Sequence, residues 1–470
     1  MPTRHPVRLR GRDITSRERV LAGWRGTLPD VLLTLLFVML SLAVNLPQVE
    51  HTVTHPDETR WMNRAYYARE LRDPFGPAWQ EYATTIGQPP LGSIVMGIGL
   101  AIQGHTVEPN AVWDFAYGRD WNERMGAVPS DEDRFAARTT NAFIGALVTG
   151  AIFVLGRLLT NRVGGALAAM FIAWHPLHIL LSTQALSDQT LALLLALIFI
   201  AGWSFAKKPT WTRAIILGIL LGLGGSVKLT PLLLSGPLTV FGLMRWWLQR
   251  DAHGRRYAFM MLAQPLIAFA TFVLSYPYLW PDPIGRTWRL FSFRATEMDS
   301  QNEAWPQAAV TDPLDGLSRF GAMLTRTHST SLRVLNHIYD WLGIERQPVG
   351  LDYIPAVAGL VILIWWIARK GFWSPEAMVA LLMGAEAGII VIGMKTDFYR
   401  YHLPIVVIMA GCIGVSTGTL WSAATRAYRR WTRQSSVQMP HPSLRPTSRA
   451  QQHQEHVPAI TGEARGELSQ

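Results

Sequence analysis

Ten apolar runs punctuate the chain, at 28–46, 136–159, 163–181, 184–206, 214–228, 231–247, 257–280, 353–369, 374–394 and 402–422. Crossing roughly 30 Å of hydrocarbon takes about 20 helical apolar residues, so these runs predict membrane-spanning helices. Two of them, 214–228 and 231–247, are short, and Lys228-Leu229-Thr230-Pro231 separates them. They read as two spans meeting at one membrane face. A further run, 91–102, is too short to cross comfortably and suits a helix lying in the interface or dipping into it. The pattern predicts an all-α polytopic membrane protein of about ten transmembrane helices, the first of them a retained span rather than a signal peptide.

Charge orients the spans. With the Arg-rich amino terminus inside and 91–102 not crossing, the inside connections 157–162, 207–213, 245–256 and 369–373 carry eleven Lys and Arg against Asp251 alone. That is the asymmetry the positive-inside rule expects; a crossing at 91–102 would reverse it. Both termini are then cytoplasmic, and 47–135 and 282–352 become long outer loops holding 13 and 9 acids against 7 bases each. The first of these extracytoplasmic loops is expected to contain interfacial helices, with Trp61, Tyr66 and Tyr67 on a helix-like stretch from Thr59 to Arg72. The expected regions are a basic arm over 1–27, which anionic headgroups would attract, a membrane body over 28–422, and a cytoplasmic tail over 423–470. Residues 434–470, rich in Gln, Pro, Ser and His, read as disordered.

Composition narrows the class. The chain is 49% hydrophobic and 16% charged, with 19 Trp, one Cys and a net charge of +10. A single cysteine, Cys412, makes neither an internal disulfide nor a Cys-based zinc site. The +10 does not indicate nucleic acid. Residues 1–27 contribute +5 and residues 425–470 contribute +4, so the body between them is nearly neutral.

Once tails, inner connections and outer loops are set aside, four cations remain: Arg138, Lys228, Lys395 and Arg400. All four fall at the outer ends of spans, against the charge trend. The remaining acids are Asp30 and Glu376 at inner helix starts, Asp188 and Asp397 near the outer face, and Glu386 within a span. Ionisable groups at membrane depth line cavities or pair with one another. An outer cluster of cations suits a phosphate leaving group, whose developing charge fixed positive groups stabilise. The alternative is structural pairing, of Lys395 or Arg400 with Asp397, or of Arg138 with a first-loop acid.

His55-Pro56-Asp57-Glu58 follows the first span within about ten residues. A carboxylate there would take a proton from an acceptor hydroxyl; equally, Pro-Asp-Glu suits the first turn of a helix. His175 and His178 stand at helical spacing and read as a packed pair rather than metal ligands. Trp288, Trp305, His328, Tyr339 and Trp341 of the 282–352 loop, and Ser275 to Pro281, suit an interfacial aromatic belt, though the loop's aromatics would also cover a donor.

These motifs resemble a known family. An Asp-Glu pair after the first span, Pro89-Pro90-Leu91-Gly92 later in the same loop, and Arg138 opening the second span are similar to the protein O-mannosyltransferases and the lipid A aminoarabinose transferases. Both belong to the GT-C fold of membrane glycosyltransferases. Ser182 to Asp188 resembles the family's outer turn ending in Asp, Gly218 to Thr230 its Gly-rich span ending in Lys, and Lys395 to Pro404 its late Lys, Arg-Tyr and Pro segment. The likeness covers roughly 28–422, departing at Gln88, where mannosyltransferase members carry His, and in lacking a soluble insertion in 282–352.

The resemblance implies a membrane glycosyltransferase domain that transfers a sugar with inversion from a polyprenyl-phosphate donor to a protein, lipid or glycan hydroxyl, on the extracytoplasmic face of the cell membrane. It implies Asp57 as base with Glu58 its acidic neighbour. Arg138, Asp188, Lys228, Lys395, Arg400 and Tyr401 become candidate substrate-binding residues. It implies no cofactor; some GT-C enzymes use a divalent metal, and the relatives resembled here generally do not. A transporter or flippase of a lipid-linked anion is the rival, weakened by the lack of an internal repeat. A working site requires Asp57 and at least three of the four cations to meet in one outer cavity.

Overall fold

The structure, a computed structural model, describes residues 16–325, 339–343 and 352–437; His328 and most of the tail expected to be disordered lie outside them. In chain order the principal helices are α1 Ser16–Asn45, α2 Pro56–Asn63, α3 Leu91–Ile102, α4 Asp131–Leu159, α5 Arg162–Trp174, α6 Pro176–Ser182, α7 Asp188–Lys207 and α8 Trp211–Gly225. They continue as α9 Ser235–Leu248, α10 Ala252–Leu262, α11 Gln264–Leu274, α12 Pro283–Ala304, α13 Pro313–Thr325, α14 Tyr353–Lys370, α15 Pro375–Gly393 and α16 Leu403–Val437. Among the described residues the only β-pairing is one bridge between Ala309 and Thr396.

Seven helical stretches are long and apolar enough to cross a membrane, or eight if the bent pair α5–α6 is one span. The bend, 63°, sits at His175-Pro176: proline lacks the amide donor and forces the residue before it into extended backbone. The other two expected spans are the shorter helices α8 and α9, of 15 and 14 residues. The run 91–102 forms the 12-residue α3. The chain divides into two compact units, one ending at Ser422 and one starting at Ala423. The described start of the second carries Arg426, Arg429, Arg430 and Arg433, with Tyr428 and Trp431 rings 6.3 Å apart.

Three local expectations change. Asp30 is not at a helix start, because α1 already runs from Ser16; its carboxylate instead receives Arg157 and Arg162 from the α4–α5 corner, at 3.3 and 2.5 Å. Tyr276 and Tyr278 are fully buried rather than part of a belt. Tyr276 packs edge-on against Phe272 and donates its hydroxyl to the Thr85 carbonyl, tying the end of α11 to the first loop. Trp61 and Tyr67 are likewise buried, Tyr67 stacked on Trp79 at 4.7 Å, so this stretch folds inward as α2 followed by short 3₁₀ and α turns. Trp288 and Trp341 remain largely exposed.

The site end of the bundle is closely packed. The Leu91 amide donates to the Ser226 carbonyl at 2.9 Å. A side chain at Gly92 would strike Ser187, and one at Gly97 would strike the Ala65 carbonyl. Glycine at these two positions lets α3 sit directly against α2, the 3₁₀ turn that follows it and the turn that starts α7.

Candidate active site

Helix α2 begins with a capping box. His55 caps it: its Nδ1 accepts the Asp57 amide at 3.1 Å, while Glu58 Oε1 accepts the His55 amide at 2.7 Å. Neighbours on a helix point about 100° apart, and the two carboxylates separate accordingly. Glu58 is wholly buried. Its oxygens take Arg138 Nε at 2.8 Å, Arg138 Nη2 at 2.9 Å and the Ala185 amide at 2.9 Å. Arg138 Nη1 donates to the Val49 and Thr52 carbonyls at 2.9 and 2.8 Å. The pair clamps the end of the first span, the head of α2, α4 and the turn before α7.

Asp57 faces the other way. It lines a cavity of about 420 Å³ together with Asp188, Lys228, Lys395, Arg400 and Tyr401. Asp57 and three of the four leftover cations therefore meet in one cavity, the geometric condition set above. Arg138 and Glu58 do not line it. Each cation nonetheless has an acid: Arg400 pairs with Asp57 Oδ2, Lys228 Nζ reaches Asp188 Oδ1 at 2.6 Å, and Lys395 Nζ reaches Asp299 at 2.5 Å. Asp397 takes neither Lys395 nor Arg400; it binds His402 Nε2 at 2.6 Å, with Arg319 at 3.8 Å. The Tyr401 ring lies beneath both Lys228 and Arg400, at 5.3 and 5.5 Å. Asp188, first residue of α7 and 2% exposed, keeps a buried Oδ2 with no partner among the described residues.

Three more arginines line the same cavity: Arg60, Arg64 and Arg294. Charge subtraction missed them because they count as ordinary loop cations. The available signal was spacing: Asp57, Arg60 and Arg64 recur at i, i+3 and i+7, one face of a helix. Arg294 is paired with Glu297 and donates to the Gly87 carbonyl at 3.0 Å. Arg60 and Arg64 have no carboxylate partner among the described residues. The Arg60 guanidinium lies 5.2 Å from the Phe115 ring centre. Arg64, 6% exposed, donates to the Gln88 carbonyl at 2.5 Å and leaves its buried Nε unpartnered. Burial pushes its pKa below the ordinary guanidinium value, with Tyr67 and Tyr276 opposing. A buried cation without a counter-ion is costly, and an anion in this cavity relieves that cost. Leu191, Leu229, Leu233, Ile389 and Ile390 add an aliphatic part to the lining.

A second cavity of about 450 Å³ shares Asp57, Arg60, Glu297, Gln301 and Arg400 with the first. Neither His175 nor His178 lines these cavities. His175 caps α6, and buried His178 meets Gln189. No group of three His, Cys, Asp or Glu side chains converges as a ligand set among the described residues.

A family model described as dolichyl-phosphate-mannose-protein mannosyltransferase matches residues 31–279, more than half of the chain, from α1 through α11. A comparison with curated protein sequences returns no match. Among solved structures, the chain is similar to the Archaeoglobus fulgidus oligosaccharyltransferase tethered with an acceptor peptide, at 12% identity and TM-score 0.51 over 85% of this chain and 50% of that one. It is also similar to ArnT from Cupriavidus metallidurans bound to undecaprenyl phosphate, at 16% identity and TM-score 0.41 over 84% and 60%. A match to the S. cerevisiae Pmt1-Pmt2 complex bound to the sugar donor has 16% identity and TM-score 0.39 over 53% and 33%. The chain spans about half the length of the oligosaccharyltransferase, and that likeness shows a shared fold. The sequence match goes further: the chain belongs to the dolichyl-phosphate-mannose-protein mannosyltransferase family, within the GT-C fold of membrane glycosyltransferases.

Proposed function

We propose that the protein transfers a sugar, with inversion, from a polyprenyl-phosphate donor to a hydroxyl acceptor on the extracytoplasmic face of the cell membrane. The observation that carries this is the placing of Asp57 on one helix face with two arginines that lack acids, on the border of two cavities. The donor phosphate sits on Arg60 and Arg64, with Lys228 and Lys395 lining the same cavity. The first isoprene units run along Leu191, Leu229, Leu233 and Ile389. Asp188, with its unpartnered oxygen, faces the sugar.

Asp57 then accepts the acceptor's hydroxyl proton. The acceptor oxygen bonds to the anomeric carbon, and the bond from that carbon to the phosphate oxygen breaks, leaving its electron pair on the phosphate. A phosphate leaving group needs fixed positive charge rather than a strong general acid, so one base and several cations suffice, unlike the paired carboxylates of glycoside hydrolases. Arg400 holds the Asp57 carboxylate in place. Arg138 and Glu58 act through the fold, by fixing the head of α2.

The experiment is reconstitution of the full chain in liposomes with polyprenyl-phosphate mannose, following both sugar and lipid. Release of polyprenyl phosphate with a new glycosidic product is the expected result. Movement of intact donor between leaflets without bond cleavage would instead indicate a transporter.

A further inference from the structure

The second cavity shares Asp57, Arg60, Glu297, Gln301 and Arg400 with the first and differs in the rest of its wall. Phe115, Trp305, Phe398 and Tyr399 line it, contributed by the first outer loop, the end of α12 and the segment before α16. Trp305 and Phe398 meet edge to face at 5.8 Å. Polar groups line it as well: His55, Glu297, Ser300 and Gln301. The Gln301 side-chain oxygen is buried with no hydrogen-bond partner among the described residues. Pro56 is the only aliphatic side chain on this wall, whereas the first cavity has a run of Leu and Ile.

We infer that this cavity holds the acceptor and that the acceptor is a carbohydrate, its attacking hydroxyl belonging to a sugar ring. The inference rests on the transferase reading above and names its acceptor class. A pyranose is amphipathic in the way this wall is. Its C–H face packs on aromatic rings, and its hydroxyl rim both donates and accepts hydrogen bonds. Gln301 Oε1 and the Glu297 carboxylate accept from such a rim. A lipid acceptor would require continuous aliphatic lining, which only the first cavity has. The cavity volume falls within the roughly 300–1,000 Å³ range of small-ligand sites.

Position supplies the second support. Asp57 and Arg400 border both cavities, so a sugar hydroxyl entering from the aromatic side meets Asp57 while the donor's anomeric carbon lies on the other side. The proton goes to Asp57, the sugar oxygen forms the new glycosidic bond, and the phosphate departs on the donor side. The aromatic wall is also braced. The Val310 amide donates to the Lys395 carbonyl and the Asp397 amide to the Ala308 carbonyl, both at 2.7 Å. This ties the chain just after Trp305 to the chain just before Phe398.

Binding to the purified full-length protein tests this without a donor. Saturation-transfer NMR is run with cellotriose, chitotriose and mannotriose, beside a Ser/Thr-rich peptide and a lysophospholipid. At least one trisaccharide is expected to bind saturably, at least tenfold more weakly to Trp305→Ala and less affected by Trp305→Phe. A melting curve like wild type shows each variant to be folded; if Trp305→Ala does not fold, Phe398→Ala replaces it. Binding of the peptide or lysophospholipid that depends on Trp305, or no saccharide binding in the panel, overturns the inference. Undecaprenyl phosphate binding, measured in parallel by native mass spectrometry, reports on the first cavity. Its loss would count against the transferase reading and not against the saccharide site.

Discussion

Asp57 and Glu58 are adjacent, yet the helix sends one to a cavity and the other into a buried ion pair. The two are expected to fail differently. Glu58→Ala leaves Arg138 buried and unpaired, costing about 3–5 kcal/mol, and is expected to lower the melting temperature in detergent sharply and reduce yield. Arg64→Met removes a cation that no acid of the described chain balances; it is expected to weaken donor binding by about tenfold or more, read as a raised KM for the lipid-phosphate sugar. Melting temperature is expected to change little or rise. A donor KM equal to wild type would place the phosphate elsewhere. At this scale the sequence singled out Asp57 and, among cations, Lys228, Lys395 and Arg400, all of which line one cavity. It hid Arg60 and Arg64, because one loop arginine looks like another until the fold shows which line the cavity without an acid. For Arg138 the sequence left two readings open, substrate binding or pairing with a first-loop acid, and the buried pair with Glu58, 80 residues away, is the second of them.

At the scale of elements, the short helix α3 locks the site's ends together. Gly92 abuts Ser187 and Trp61, the residue before it is bonded to Ser226, and Asp188 and Lys228 lie one and two residues beyond those serines. Gly92→Val forces these turns apart and is expected to cost about 1–3 kcal/mol of stability through overpacking. Donor turnover is expected to fall as well, checked by melting and rate on the same preparation. An unchanged rate would show that α3 does not position the site. The Pro-Pro-Leu-Gly motif was visible in the sequence, as was the shortness of the helix it opens. The close contacts that require its glycine were not, because they depend on which turns come to meet it. The tyrosines after α11 were misjudged for a similar reason. Tyrosine serves at an interface or in a core, and only the Thr85 carbonyl beside Tyr276 decides between them.

Across the whole molecule, nine of the ten units of net positive charge belong to the two end segments, and the positive charge of the site is a local excess that the total conceals. All ten apolar runs coincide with helices, because hydrophobic burial over a span's length is written residue by residue. The cavity is not, since its walls join the family-matched region 31–279 to Lys395 and Arg400 well beyond it. If an anionic lipid fills this cavity, binding should stabilise the entire fold. Undecaprenyl phosphate at a hundredfold excess over its Kd is expected to add about 2.7 kcal/mol, seen as a raised melting temperature that Arg64→Met diminishes. An equal shift in wild type and variant would indicate binding elsewhere. The most direct measurement of the central claim is the single-turnover rate of sugar transfer from polyprenyl-phosphate mannose by wild type and Asp57→Asn, both shown to be folded and to bind the lipid phosphate. A loss of about a hundredfold or more in the variant is the expected result, and equal rates would contradict the assignment of Asp57 as the base.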